Sequence, residues 1–313
     1  MSVYTTVSEQ ALTEFLHDYA IGDLVSLTGI SDGIENTNYF VETTQGKYVL
    51  TLFEALSAEE LPFFLDLMAH LNEHQVPSAH PIADNNHHYL KTLCGKPAAL
   101  VQRLTGKSVL EPNSTQCAAL GQALGHAHVV TSNFTGTRTN RRGPHWWQLT
   151  AEKLLPHLNT AQKELLEDEL TFQTKHRNDN LPRGTIHADL FRDNALFDGD
   201  LLTGIIDFYY ACTDVLLYDV AVTVNDWCTN NDGSLNTERC GHFLQAYQKE
   251  RSFSDAEKAD WPLMLRAAAL RFWLSRLQDK YFPREGEMTH IKDPQVFEDI
   301  LTDRRLNIAQ IAN

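Results

Sequence analysis

An aspartate, an asparagine five residues after it and a second aspartate thirteen residues further on make the most chemically loaded pattern in this chain: His187-Ala188-Asp189-Leu190-Phe191-Arg192-Asp193-Asn194, then Ile206-Asp207-Phe208. Transfer of a phosphoryl group asks little covalent work of a protein. It needs a carboxylate to accept or orient a hydroxyl proton, and oxygen ligands that hold magnesium on the nucleotide phosphates. The interval H-x-D-x-x-x-x-N followed by D-F is the spacing of a phosphoryl-transfer loop. It predicts Asp189 as catalytic base and Asn194 and Asp207 as Mg2+ ligands. Two apolar runs, 195–197 and 203–206, flank Asp198-Gly199-Asp200 and predict a hairpin that returns Asp207 beside Asn194 in one oxygen-rich pocket. Turn capping by Asp and Asn explains any one of these residues, but not all three with β-like runs correctly placed between them. His187 is expected to brace the loop through backbone hydrogen bonds, Asp193 to be loop polarity, and Asp219 to stabilise the loop.

The elements that must carry this loop fall into two textures. Up to about residue 104, short β-branched or aromatic runs at 23–29, 37–43, 47–53, 87–93 and 97–104 predict an antiparallel meander. Helical spacing over 8–19 adds one helix. A second is predicted after Ser57-Ala58-Glu59-Glu60, a capping-box pattern, and ends before Pro77. Beyond Gly106 helical patterns dominate, over about 114–128, 145–158, 160–177, 217–228, 237–250, 258–281 and 294–311. The expected class is α+β: an N-terminal antiparallel sheet plus helix over 1–103 and a larger, mainly helical part over 104–313, with the boundary near 102–108.

Composition removes several classes. A formal net charge of -15 repels phosphate backbones and anionic membrane surfaces, so no nucleic-acid or membrane partner is expected. The start lacks a basic segment followed by a long apolar run, and no stretch approaches the roughly 18 apolar residues of a spanning helix. These features predict a cytoplasmic protein. Five widely spaced cysteines with no C-x-x-C pair predict reduced thiols. His70-Leu71-Asn72-Glu73-His74 has the H-x-x-E-H spacing of a zinc site, but its polar residues fall near a helix C-terminus, where histidine meets the dipole favourably. Gly106-Lys107-Ser108 lacks the first glycine of a P-loop, and His126 and His128 point to different helix faces. None of these is expected to bind metal or phosphate.

With H-A-D-x-x-x-x-N and I-D-F in place, the sequence resembles the aminoglycoside phosphotransferase and choline kinase superfamily, and within it the bacterial homoserine kinase family. The matching stretches are Gly33 to Phe40, Tyr48 to Glu54, Glu60 to Phe64, His187 to Asn194, Ile206 to Tyr210 and Arg271 to Arg276, spread over nearly the whole chain. The resemblance implies a protein-kinase-like bilobal fold with the active site between the lobes. It also implies use of ATP and Mg2+, and phosphorylation of the side-chain hydroxyl of L-homoserine, a step toward threonine. Choline, an aminoglycoside and methylthioribose remain alternative acceptors, and a nucleotide-holding protein without turnover remains an alternative class. The oligomeric state stays open.

On the kinase-like reading, residues 31–38 form a loop over the nucleotide phosphates, with Ser31, Gly33, Asn36, Thr37 and Asn38 as contacts; an ordinary hairpin turn explains the same composition. Val101, Gln102 and Arg103 are expected at the connection where adenine meets backbone groups. One departure stands out: the third strand has Thr51 where the superfamily often carries a lysine or arginine, so the usual ion pair with a helix glutamate cannot be carried over. For an amino-acid substrate, Arg271 or Arg276 could fork to the carboxylate, against the alternative of a solvated helix face. Asp226, Trp227, Tyr209 and Tyr210 are candidates for the ammonium, against core packing or capping.

Overall fold

Alternating burial along residues 36–43 shows how the first sheet forms: every second side chain, from Thr37 through Tyr39 and Val41 to Thr43, turns inward. The computed structural model describes residues 5–30, 36–283 and 292–311. The chain divides into two units, Met1–Gly106 with Thr203–Ile206, and Lys107–Leu202 with Asp207–Asn313.

In the first unit, helix α1 (Glu9–Leu16) precedes strands β1 (Leu24–Gly29), β2 (Asn36–Thr43) and β3 (Gly46–Phe53). Helix α2 (Leu61–Glu73) follows, then β4 (Lys91–Leu93) and β5 (Lys96–Gln102). The five strands form an antiparallel sheet in the order β1-β2-β3-β5-β4. Leu50, Leu52, Ala98 and Leu100 are completely buried against Leu12 and its neighbours, and each buried leucine contributes roughly 2 kcal/mol. Three expectations shift here. Asn36, Thr37 and Asn38 belong to β2 and not to a loop, because Thr37 sits on its inward face. The pattern at Ser57 closes a turn, with the Glu60 N–H donating to Ser57 O at 3.1 Å and the Ser57 N–H to Glu60 Oε2 at 3.2 Å. The helix starts only at Leu61, with Pro62 in its first turn, where a missing N–H is harmless. The run at 87–93 pairs only from Lys91, since His87 turns with φ +65°.

The second unit is mainly helical: α3 (Ser114–Val130), α4 (Pro144–Leu154), α5 (Thr160–His176), α6 (Leu216–Trp227), α7 (Thr237–Glu250), α8 (Asp255–Tyr281) and α9 (Gln295–Leu306). Reciprocal capping boxes start α3 at Asn113/Gln116, α5 at Asn159/Gln162 and α8 at Ser254/Glu257. A Cβ on Gly121 would collide with the Phe243 carbonyl, so glycine is what lets α3 and α7 pack backbone to backbone. Between α5 and α6 lie β6 (Arg183–Ile186), β7 (Ala195–Asp198), β8 (Leu201–Ile205) and β9 (Cys212–Val215). Strands β7 and β8 form the expected hairpin, turning at Gly199 with φ +59°. The antiparallel β6–β9 pair, which spacing did not predict, brings the two ends of the 183–215 segment together. All five cysteines are free. Among the described residues, no helix is long and apolar enough to cross a membrane.

Candidate active site

β6 delivers the chain into His187 and Ala188, where it turns sharply: Ala188 has φ +64°, a conformation costly for any residue with a Cβ. A buried carboxylate holds it there. Asp219, fully inaccessible in the first turn of α6, accepts from the His187 N–H at 2.9 Å and from the Ala188 N–H at 2.7 Å. His128 of α3 lies 3.1 Å from the same carboxylate through Nε2, and its Nδ1 is 2.7 Å from the Tyr247 hydroxyl. Burial pushes the Asp219 carboxyl up, but the hydrogen bond and charge of His128, together with His187, outweigh it and hold the group below the usual aspartate range. His187 Nδ1 accepts from the Asp189 N–H at 3.3 Å, so the histidine braces the turn from within.

Asp189 follows this turn with about one fifth of its side chain exposed. Burial is the main influence on its carboxyl, lifting it to about 7; Arg271 pulls it down, and Asp207 and Asp193 push it up. Asn194 Nδ2 donates to Asp189 O at 2.8 Å and to Asp189 Oδ2 at 3.3 Å. That fixes which end of the amide faces outward: the nitrogen is engaged by Asp189, and the oxygen is the end left as an acceptor. Asp207 is exposed and left-handed at φ +62°, ψ +58°, near enough for its charge to act on Asp189. An amide oxygen and a carboxylate are hard donors that fit a divalent cation. Among the described residues no cluster of three His, Cys, Asp or Glu residues forms a cage.

The pattern of the Phosphotransferase enzyme family matches residues 26–253. The chain belongs to this family. It is 52% identical to the homoserine kinase of Methylobacillus flagellatus over 96% of this chain and 94% of that one. It is 48% identical to the homoserine kinase of Methylobacillus glycogenes over 96% and 95%. Among solved structures, amicoumacin kinase in complex with AMP-PNP, Ca2+ and Ami superimposes with a TM-score of 0.70 at 17% identity, covering 96% of this chain and 92% of that one. The Plasmodium vivax ethanolamine kinase does so with 0.61 at 16% identity, covering 91% and 82%. The fold is therefore shared with this phosphotransferase's structural neighbours: an N-terminal antiparallel sheet with helices, and a larger helical part.

The remaining expected site residues scatter. Ser31 and Gly33 lie outside the described residues. Thr37 is completely buried, donating to Glu54 Oε1 at 2.7 Å and accepting from the Thr5 N–H at 3.1 Å, so its side chain faces the sheet interior. Glu54 also binds Lys96 at 3.1 Å, an ion pair that sequence spacing did not reveal. Asn36 is half-buried at the start of β2, and Asn38 Oδ1 accepts from the Thr51 hydroxyl at 2.7 Å directly across the ladder. The Thr51 hydroxyl is thus engaged by a neutral partner. Val101 is buried opposite Val49. Gln102 and Arg103 are exposed, but their N–H groups donate to His80 O at 2.8 Å and Lys47 O at 3.1 Å. The Arg103 guanidinium lies 3.8 Å from the centre of the Phe40 ring.

In the second unit two substrate candidates change role. Both Asp226 oxygens are engaged by Arg192, at 2.7 Å from its N–H, 3.1 Å from Nε and 3.3 Å from Nη2, which ties α6 to the catalytic loop. Trp227 is fully buried and donates its indole N–H to Leu190 O at 3.2 Å, so no substrate reaches it. Tyr209 and Tyr210 are half-buried just after Asp207. Asp219 holds the loop as expected; its partners His128 and Tyr247 were missed, although His128 shares an i, i+3, i+4, i+7 stripe with the buried Gly121, Leu124 and Gly125. A cavity of about 260 Å3 lined by Trp147, Gln173, Asp214, Tyr218 and Leu263 includes none of Asp189, Asn194 or Asp207.

Proposed function

We propose that this chain is a homoserine kinase, transferring the γ-phosphoryl group of ATP to the side-chain hydroxyl of L-homoserine to give O-phospho-L-homoserine and ADP. The observation that carries the reading is the 52% identity, over nearly the full length of both chains, to a protein named homoserine kinase. The loop geometry supports the same chemistry. Asp189 accepts or orients the hydroxyl proton, with Asn194 Nδ2 and the His187-braced turn fixing its direction. Asn194 Oδ1 and the Asp207 carboxylate would hold the divalent cation, Mg2+, which would supply charge neutralisation for the transferring phosphoryl group. Residues 1–103 serve the nucleotide, with Gln102 and Arg103 nearest the adenine, and 104–313 supply the loop and the acceptor site, where Arg271, Arg276, Tyr209 and Tyr210 remain the substrate-facing candidates. The -15 charge favours an enzyme of small molecules over one that meets nucleic acid or an anionic membrane surface, and a cytoplasmic location accords with the lack of a long apolar segment in the sequence.

Release of ADP, measured over L-homoserine, choline, an aminoglycoside and methylthioribose with and without added Mg2+, tests this. Turnover is expected with homoserine and only with the cation. Turnover of another acceptor in its place overturns the substrate. The neutral Thr51–Asn38 pair favours one rival, a nucleotide-binding protein without catalysis, and that rival predicts ATP-dependent stabilisation with no ADP from any acceptor.

A further inference from the structure

Arg271 is 4% exposed, yet among the described residues nothing accepts a hydrogen bond from its guanidinium. Its Nη1 is 3.8 Å from Asp189 Oδ1, too long for a hydrogen bond and the one carboxylate approach within 4 Å among those residues. Aromatic rings flank it: the guanidinium carbon lies 3.7 Å from the centre of Phe272 and 5.3 Å from that of Tyr210. A guanidinium beside aromatic rings still presents N–H groups that take a carboxylate in two parallel bonds. With no protein acceptor on those N–H groups among the described residues, a ligand carboxylate is the group that supplies one.

The other basic candidate is differently placed. Arg276 donates from Nη1 to Asp293 O at 2.9 Å and packs 4.5 Å from the centre of Phe297, so its edge already has a protein acceptor. We infer that Arg271, and not Arg276, binds the carboxylate of the acceptor, so that the site selects a hydroxy acid whose hydroxyl rests on Asp189. The inference rests on the kinase reading above. An extended four-carbon hydroxy acid separates its two ends by roughly 5 Å, long enough to rest on both Asp189 and Arg271, whose Oδ1 and Nη1 atoms are 3.8 Å apart. The carboxylate also offsets Arg271's charge when its partial pairing with Asp189 gives way to the incoming hydroxyl.

The test compares kcat/KM for L-homoserine and for aminopropanol, which is homoserine without its carboxylate, in the wild-type protein, Arg271→Lys and Arg271→Met. The wild type should prefer homoserine. Arg271→Met should lower the homoserine-to-aminopropanol ratio by roughly tenfold to a hundredfold, chiefly through KM, with Arg271→Lys between them and the KM for ATP unchanged. Any effect of the substitution on Asp189 itself falls on both substrates and cancels in the ratio. If Arg271→Met does not fold, the ratio in Arg271→Lys decides. A preserved ratio in the variants, beside a wild type that prefers homoserine, overturns the Arg271 assignment alone. A wild type that turns over aminopropanol at least as well as homoserine overturns the substrate reading as well.

Discussion

The catalytic loop and the β2–β3 ladder hold their polar groups in opposite ways. On the ladder the partners are close at hand: Thr51 meets Asn38 directly across the register, and Thr37 meets Glu54 one step beyond the end of β3. In the loop the partners come from far along the chain, Asp219 from α6, His128 from α3 and Arg192's partner Asp226 from the end of α6. The positive φ of Ala188 costs about 1–2 kcal/mol. Two hydrogen bonds to a charged acceptor contribute about 1.5–3 kcal/mol each, so the remote carboxylate outweighs the strain. A backbone that must depart from regular geometry is fixed here by a carboxylate brought from far along the chain, whereas the strand's polar groups find partners across the ladder or one residue past its end, the Lys96-paired Glu54 among them.

Asp189→Asn should produce the largest change, a fall in kcat of about a hundredfold to ten-thousandfold with ATP affinity nearly unaltered, read by steady-state turnover beside nucleotide titration. Retention of most of the rate would remove Asp189 as the base. Asp219→Asn should come next. It leaves an N–H of the loop and His128 without their carboxylate, costing about 3 kcal/mol in denaturant unfolding and slowing turnover together. Its pH signature has a definite sign. Because the folded carboxyl lies below the usual aspartate value, its stabilisation is complete above about pH 4 and disappears as pH falls through the folded value. The variant should therefore lose less stability than the wild type on acidification below pH 4; parallel pH profiles would show that the carboxylate does not brace the loop as a charge.

Asp207→Asn separates the cation from the base. Turnover should fall along with Mg2+-ATP affinity, by roughly tenfold in the latter, because a cation ligand acts in the ground state too. An unchanged Mg2+ requirement with a reduced rate would move Asp207 out of the cation site. Thr51→Val is the smallest effect and probes the other side of the contrast. Loss of the bond to Asn38 should lower stability by about 1 kcal/mol and leave ATP affinity within twofold. A tenfold loss of affinity would make Thr51 a phosphate contact and erase the distinction between the two regions.

What could be read from spacing was local. The helices of the second unit fall close to their periodic runs, and α3, α5 and α8 begin at side-chain caps visible as short patterns. The five-residue interval from Asp189 to Asn194 was legible because their partnership is made within one turn of chain. Asp219 was expected to stabilise the loop, but which groups it holds was not legible, because its hydrogen bonds cross 31 and 32 residues and its contact with His128 crosses 91, distances over which no period survives. Strands β6 and β9 are four residues each, too short for alternation to declare itself. The run 37–43 was legible as a strand, and composition left open only whether the preceding loop reached Asn38; the inward position of Thr37 in the folded sheet places residues 36–38 in β2.

The return of Thr203–Ile206 to the first unit makes that unit discontinuous, closed by an Ile205 N–H to Pro77 O bond of 2.7 Å and a parallel bridge from Ile205 to Ser78. A ribosome that has finished Gly106 must still add about a hundred residues before the missing piece exists, roughly 5–20 s at usual rates of synthesis. During that interval the nascent first unit carries an unmet carbonyl at Pro77 and a waiting strand edge at Ser78. It is the stretch of synthesis in which a chaperone has most to cover, and a fragment ending at Gly106 would remain in that condition permanently.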